Sequence, residues 1–142
     1  RIKRARVVEM TKILVVDDSE MEHAFMKKMF RGINRIRNWS VDYVCGGAEA
    51  LDRLQEDTYD LILTDNFMPN MTGLELLERI QLLDIDTPVV IMTANGSEEL
   101  VLESLRGGAA NYVMKRRLER ELPKIIEKLA WTADVGGKTK LY

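Results

Sequence analysis

Short, continuously apolar runs alternate along this chain with segments whose apolar residues recur every three or four positions. Ile13 to Val16, Leu61 to Leu63, Val89 to Met92 and Tyr112 to Met114 read as strands buried on both faces, since a strand covered by helices on either side has no polar face to show. The stretch from Trp39 to Cys45 differs. There Trp39, Val41, Tyr43 and Cys45 alternate with Ser40, Asp42 and Val44, which predicts a less fully covered strand at a sheet edge. The intervening segments fit helices. Met21, Phe25 and Met29 recur at i, i+4 and i+8, and Leu122, Ile125, Ile126 and Leu129 at i, i+3, i+4 and i+7, each a stripe that can face a sheet.

Boundary residues agree with this division. Thr72 with Glu75 three residues later has the form of a capping box, and Ser97 before Glu98 and Glu99 places an acceptor oxygen and two negative charges at a helix N-terminus. Gly107 and Gly108 are expected to end that helix, and Gly32 the first one. Pro123 suits a first helical turn, so the final helix is expected to begin near Leu122, after a short irregular or 3₁₀ segment. Five strands alternating with five helical segments define an α/β chain, a doubly wound parallel sheet with helices on both faces. In such sheets ligands bind beyond the carboxyl ends of the strands.

That rule singles out Asp17 and Asp18, Asp65, Thr93 and Lys115, each of which follows one of the apolar runs. Neighbouring strands lie only about 4.8 Å apart, so these residues should converge on one small pocket. Carboxylates so placed repel by roughly 4 kcal/mol per close pair at an effective dielectric of about 20. Lys115 supplies one compensating charge. Protonation of some acids, or a bound cation, must supply the rest. A hard divalent ion suits the set, Mg²⁺ above all, because it binds through one or two carboxylates and keeps water and phosphate oxygens.

An aspartate carboxylate can also attack phosphorus, in a transfer governed mainly by positioning and charge neutralisation. Asp65 is the preferred nucleophile, opening the loop Asn66-Phe67-Met68-Pro69-Asn70-Met71-Thr72-Gly73, while Asp17 and Asp18 form a pair suited to the metal. The Lys115 ammonium and the Thr93 hydroxyl can meet oxygens of the transferred group. The plainer alternative is that the three acids only cap loops and helices.

Length and composition set bounds. The 142 residues, 46% of them hydrophobic, suit one domain with one core. With 21 basic against 23 acidic residues the formal net charge is -2, so bulk charge points to neither a nucleic acid nor a membrane as partner. The single cysteine cannot make an internal disulfide, and no stretch reads as a membrane span or signal peptide, so the expected compartment is the cytoplasm. Residues 1–10, with Arg1, Lys3, Arg4 and Arg6, read as a basic lead-in or linker, residues 11–131 as the domain, and residues 132–142 as a tail or linker. His23 lacks the companions of a transition-metal site and reads as a surface or packing residue. Cys45 is expected to be buried in its strand, Met21, Met26 and Met29 to fill the core, and Arg116, Arg117 and Arg120 to form a solvated face.

Taken in order, Ile13-Leu14-Val15-Val16-Asp17-Asp18, Leu61-Ile62-Leu63-Thr64-Asp65 with Met68-Pro69 and Gly73, Val90-Ile91-Met92-Thr93-Ala94, and Gly108-Ala109 leading to Tyr112-Val113-Met114-Lys115 carry a specific resemblance. The chain resembles the receiver domain of bacterial response regulators, of the chemotaxis-regulator kind, across about Lys12 to Leu129. The resemblance implies the flavodoxin-like strand order 2-1-3-4-5. It also implies a phospho-accepting switch of a two-component phosphorelay, rather than an enzyme with a diffusible product, in which Asp65 takes the phosphoryl group with help from Thr93 and Lys115. By the same resemblance Asp18 and Asp65 ligate Mg²⁺ directly, with Mn²⁺ able to substitute, Asp17 acts largely through water, and the backbone carbonyl of Phe67 is a further ligand. The implied donor is a histidine kinase or a histidine phosphotransfer protein, replaceable by small acyl phosphates, and the signal passes to a downstream protein or an attached output domain.

The resemblance further implies that Thr93 moves toward the phosphoryl group and Tyr112 turns inward behind it. The readout face is then helix 4, strand 5 and helix 5, a face that could also serve a dimer. Phe67, Ala94 and Asn95 are expected to tune the site, with Phe67 shielding the acyl phosphate from water. One departure stands out. Arg116 follows Lys115 where the family usually has proline, so a trans peptide is expected there. Two other readings stay open: a Mg²⁺-dependent hydrolase, for which no second acid and no cap domain is visible, and a receiver segment of a larger regulator or hybrid kinase acting as an interaction module.

Overall fold

In the computed structural model, which describes residues 11–136 and the side chains of 11–129, five strands alternate with five α-helices. The strands are β1 (Lys12–Val16), β2 (Ser40–Val44), β3 (Leu61–Asp65), β4 (Val89–Thr93) and β5 (Asn111–Met114). The helices are α1 (Glu20–Ile33), α2 (Gly47–Glu56), α3 (Gly73–Leu82), α4 (Glu98–Arg106) and α5 (Leu118–Gly136), with a 3₁₀ turn at Lys115–Arg117. All pairings are parallel and the order is β2-β1-β3-β4-β5, with the alternating strand β2 at an edge as expected. The lead-in at 1–10 and the tail beyond residue 136 lie outside the described residues, while 132–136 continue the backbone of α5.

Alternate residues of each central strand feed two separate cores. Ile13, Val15, Leu61, Leu63, Val90 and Met92 face α1 and α5, where they meet Met26, Met29, Phe30, Leu122 and Ile126. Leu14, Val16, Ile62, Val89 and Ile91 face the other way, onto Ala50 and Leu54 of α2 and Leu76, Leu77 and Ile80 of α3. Each fully buried aliphatic side chain contributes roughly 1.5–3 kcal/mol, so the run Ile13 to Val16, wholly buried, anchors the sheet. The charge that follows it guards the register. A slip of β1 by one residue would pull Asp17, already buried, away from its donors Ser19 and Lys115 and leave a buried carboxylate without a partner.

Helix ends follow local chemistry. Thr72 and Glu75 make the full capping box at α3, Ser97 caps α4 by accepting from the Leu100 N–H, and Gly107 is the C-cap of α4. Gly108, at φ +99°, takes the left-handed turn that leads into β5.

Five expectations are corrected. Tyr112 to Met114 are not buried on both faces, because β5 forms the other edge of the sheet and only Val113 of it is buried. Gly32 does not end α1, which runs to Ile33 and closes on Asn34, whose N–H bonds the carbonyls of Phe30 and Gly32. Two apolar stripes compete on that helix, and Met26, Met29, Phe30 and Ile33, which cover more of the sheet, win. Met21 and Phe25 are left 79% and 52% exposed, so Met21 is not core filler. Cys45 is exposed rather than buried, because the ladder between β1 and β2 ends at Val44 and the Cys45 N–H turns to the Glu49 carboxylate. Finally, α5 starts at Leu118, not near Leu122. An early start buries Leu118 in line with Leu122 and Ile126, and it leaves Pro123 past the first turn, where its missing N–H removes one bond from the helix. The 3₁₀ segment before it is present, and no described peptide bond is cis, Lys115-Arg116 included.

Candidate functional site

Strand register delivers the polar residues to one edge. Val16 lies opposite Thr64, which sets Asp17 beside Asp65 just beyond the ladder, and Asp65 in turn lies opposite Met92, with Thr93 one residue on and opposite Met114. Lys115 is the next residue after Met114. The carboxylates of Asp17, Asp18 and Asp65 offer oxygens that all lie within 4.8 Å of one another. Asp17 and Asp65 are buried and Asp18 is exposed, so the group opens to solvent on one side.

Lys115 reaches over this group. Its ammonium donates to Asp17 Oδ2 at 2.8 Å and lies 3.6 Å from Asp65 Oδ2 and 3.5 Å from Glu22 Oε1. Burial works against the Lys115 charge, but the hydrogen bond to Asp17 and the charges of Asp65, Asp17 and Glu22 outweigh it, and its pKa lies above the usual lysine value. Asp65 is held the other way. Burial pushes its carboxyl up to about 6 from 3.8; Lys115 pulls it down, Asp17 pushes it up, the Phe67 N–H lowers it and Asp18 raises it. Burial is thus the main cost to the Asp65 charge, and the neighbouring acids add to it. Its donors are hard oxygens, the kind that Mg²⁺ and Mn²⁺ prefer.

Supporting contacts fix the acids in place. The Ser19 N–H donates to Asp17 Oδ1 at 3.0 Å, and His23 Nε2 donates to the Asp17 carbonyl at 2.6 Å while its ring lies 5.6 Å from that of Tyr43. The packing role expected of His23 thus includes holding the loop that carries two of the acids. Asn66 is buried, and its side-chain oxygen accepts from the Leu74 N–H at the start of α3. At Gly73 a β-carbon would come within 2.6 Å of the Asp65 carbonyl, so only glycine lets α3 start this close.

The remaining candidates lie around this centre. Thr93 is buried, and its hydroxyl donates to the Asn95 carbonyl at 3.2 Å. Tyr112 lies inward, its buried hydroxyl without a hydrogen-bond partner and tucked so close to Gly96 that a β-carbon there would be 1.8 Å away. Phe67, Ala94 and Asn95 are exposed on the loops that follow β3 and β4. Arg117 and Arg120 both approach Glu121, at 3.9 and 3.8 Å, in keeping with a solvated face.

Comparison with known proteins agrees with this geometry. The response regulator receiver domain family matches residues 13–127. The chain belongs to that family. The receiver is 34% identical over 128 residues to the transcriptional regulatory protein ZraR of Escherichia coli, covering 89% of this chain and 28% of that protein. It is 37% identical over 112 residues to the autoinducer 2 sensor kinase/phosphatase LuxQ of Vibrio vulnificus, covering 78% of this chain and 13% of that protein. The chain thus spans well under a third of the length of these curated relatives. Among solved structures, the receiver domain of the Francisella response regulator 1452 has a TM-score of 0.76 at 30% identity, covering 87% of this chain and 98% of that one. The Vibrio cholerae chemotaxis protein CheY4 has a TM-score of 0.74 at 27% identity, covering 84% and 98%. Membership makes the chain a module of the phospho-accepting, two-component type, a signalling switch in class. Among the described residues no helix is long and apolar enough to cross a membrane.

Proposed function

We propose that Asp65 of this receiver accepts a phosphoryl group from a histidine kinase or a histidine phosphotransfer protein, at a Mg²⁺ site made by Asp17, Asp18, Asp65 and the backbone carbonyl of Phe67. The observation that carries the reading is three carboxylates with oxygens within 4.8 Å of one another and, among the described residues, the Lys115 ammonium set against them. A bound Mg²⁺, or Mn²⁺ in its place, supplies charge neutralisation to the acids and to the phosphoryl oxygens. With both of its oxygens engaged, by Ser19 and by Lys115, Asp17 is suited to acting through water.

The chain's own residues do the rest. A carboxylate oxygen of Asp65 attacks phosphorus, the bond from phosphorus to the donor's imidazole nitrogen breaks with its electron pair going to the imidazole, and the product is an acyl phosphate. Asp65 is buried and fixed by the Phe67 N–H, so little motion is needed to aim it. Lys115 stands within reach of an oxygen on the new phosphoryl group. Thr93 can exchange its bond to the Asn95 carbonyl for one to another oxygen, and Tyr112, already inward, fills the space beside its methyl group. Phosphorylation would stabilise that arrangement over its alternatives, a population shift read out on α4, β5 and α5, by a partner, a second copy or an attached output domain. Phe67, Ala94 and Asn95 tune access to the acyl phosphate. We take the receiver unit to run from residue 11 through α5, past the boundary expected at 131, and the flanks beyond it as linkers; in the relatives the matching stretch is part of a longer protein.

Incubating wild type and Asp65→Asn with acetyl phosphate and Mg²⁺, then weighing each protein intact, tests this. Wild type should gain the mass of one phosphoryl group and the variant none. No gain in wild type, or equal gain in both, overturns the assignment.

A further inference from the structure

We propose that Glu22 positions the Lys115 ammonium, and thereby limits how readily that ammonium follows a phosphoryl group onto Asp65. The inference rests on the reading of Asp65 as the phosphoacceptor. Ser19 and Glu22 occupy the N-cap and third helical position of α1, the spacing that Thr72 and Glu75 occupy in α3. In α3 both halves of the capping box are made: the Glu75 N–H donates to Thr72 Oγ1 at 3.1 Å, and the Thr72 N–H donates to Glu75 Oε1 at 2.9 Å. In α1 only the first half is made, from the Glu22 N–H to Ser19 Oγ at 3.2 Å. The Ser19 N–H, which the Glu22 carboxylate would otherwise take, goes to Asp17 Oδ1. Glu22 is thereby released from its usual capping duty, and its carboxylate turns to Lys115 Nζ at 3.5 Å.

Lys115 thus has three anionic neighbours, Asp17, Glu22 and Asp65. Two of them belong to the carboxylate group that would hold a cation, while Glu22 does not, so its hold on the ammonium persists when the other two share their charge with a metal. A phosphoryl group arriving on Asp65 must draw the ammonium away from Glu22 and must also accept Glu22 as a nearby negative charge. Both effects oppose the phosphorylated state. The Glu22 side chain is 36% exposed, so solvent screens the contact and its effect is modest.

The test compares the full chain with Glu22→Gln, which keeps shape and removes charge, and Glu22→Asp, which keeps charge and shortens the reach. Each is phosphorylated by acetyl phosphate at its own saturating Mg²⁺, at low salt and at about 0.5 M KCl, where the field of distant charges is screened. Glu22→Gln should be phosphorylated about threefold faster, equivalent to about 0.7 kcal/mol, in both salts, with Glu22→Asp in between. In ¹⁵N-lysine-labelled, unphosphorylated protein the Lys115 ammonium signal should move in Glu22→Gln, a readout that does not depend on activity. Equal rates, an unmoved Lys115 signal, or a gain that vanishes at high salt would each overturn positioning by Glu22. A wild type that takes no phosphoryl group overturns the acceptor reading instead, while the Lys115 signal still tests the contact.

Discussion

Replacing Asp65 by asparagine should stabilise the metal-free protein near neutral pH, although it removes the proposed phosphoacceptor. Asp65 is only 6% exposed, and its carboxyl is pushed up from 3.8 to about 6. The folded state therefore holds a proton that the unfolded chain releases between those two values, so folding stability falls as pH rises through that window and levels off above about pH 6. A displacement of this size corresponds to roughly 3 kcal/mol against folding once the group is ionised. Asparagine carries none of that cost. The pull of Lys115 is already contained in that displacement, so the offset comes from burying the asparagine amide in its place, leaving an expected stabilisation of about 1–2 kcal/mol at about pH 7.5. Urea unfolding of wild type and Asp65→Asn in the presence of a chelator measures it. At about pH 4, where folded Asp65 is protonated and its unfolded counterpart a little under half so, most of the difference should vanish. Added Mg²⁺ should shrink the difference at neutral pH, because binding stabilises wild type more than the variant. An asparagine variant no more stable than wild type at about pH 7.5, or equally favoured at both pH values, would refute the claim that ionised Asp65 is the costly group.

Three further outcomes follow from particular contacts. Phe67→Asn removes a 61% exposed aromatic ring two residues from Asp65 and should shorten the phosphoryl lifetime, followed by decay of the phosphorylated mass; an unchanged lifetime ends the idea that Phe67 excludes water. Gly96→Ala puts a β-carbon 1.8 Å from the Tyr112 hydroxyl and should cost about 1–3 kcal/mol, a cost largely absent in a Tyr112→Ala background, so additive losses in a double-mutant cycle would exclude the slot. Thr72→Ala breaks the capping box of α3 and should lower stability by about 1 kcal/mol in urea titration, with no loss expected if solvent already replaces those bonds.

The strands were legible because continuous apolar runs such as Ile13 to Val16 and Leu61 to Leu63 admit few roles other than buried parallel strands, whereas their order followed from the family resemblance and not from the runs. Helix faces were harder. In α1 the pair Met21 and Phe25 has the same spacing as Met26 and Phe30, and only the sheet decides which pair is covered. Cys45 misled for a related reason, since alternation continues one residue past the point where pairing with β1 stops. The start of α5 was misplaced because Pro123 is tolerated beyond a first turn when an early start buries Leu118. Local preference gave way to packing in each case.

The site divides along the same line. Asp17, Asp65, Thr93 and Lys115 could be read from sequence because each stands at a strand end, and parallel register carries them to one edge whatever the helices do. Residues that act from outside the strands could not. Gly96 matters only because Tyr112 lies against it, and Glu22 only because Asp17 has taken the Ser19 N–H that a capping glutamate would occupy. The S-x-x-E spacing by itself points to a closed box. What reopens it is the crowding of the neighbouring acids: with one ammonium among several carboxylates, Asp17 recruits the nearest backbone donor, and the displaced glutamate joins the contest for Lys115. The unusual cap thus goes with the same charge imbalance that the proposed divalent cation would offset.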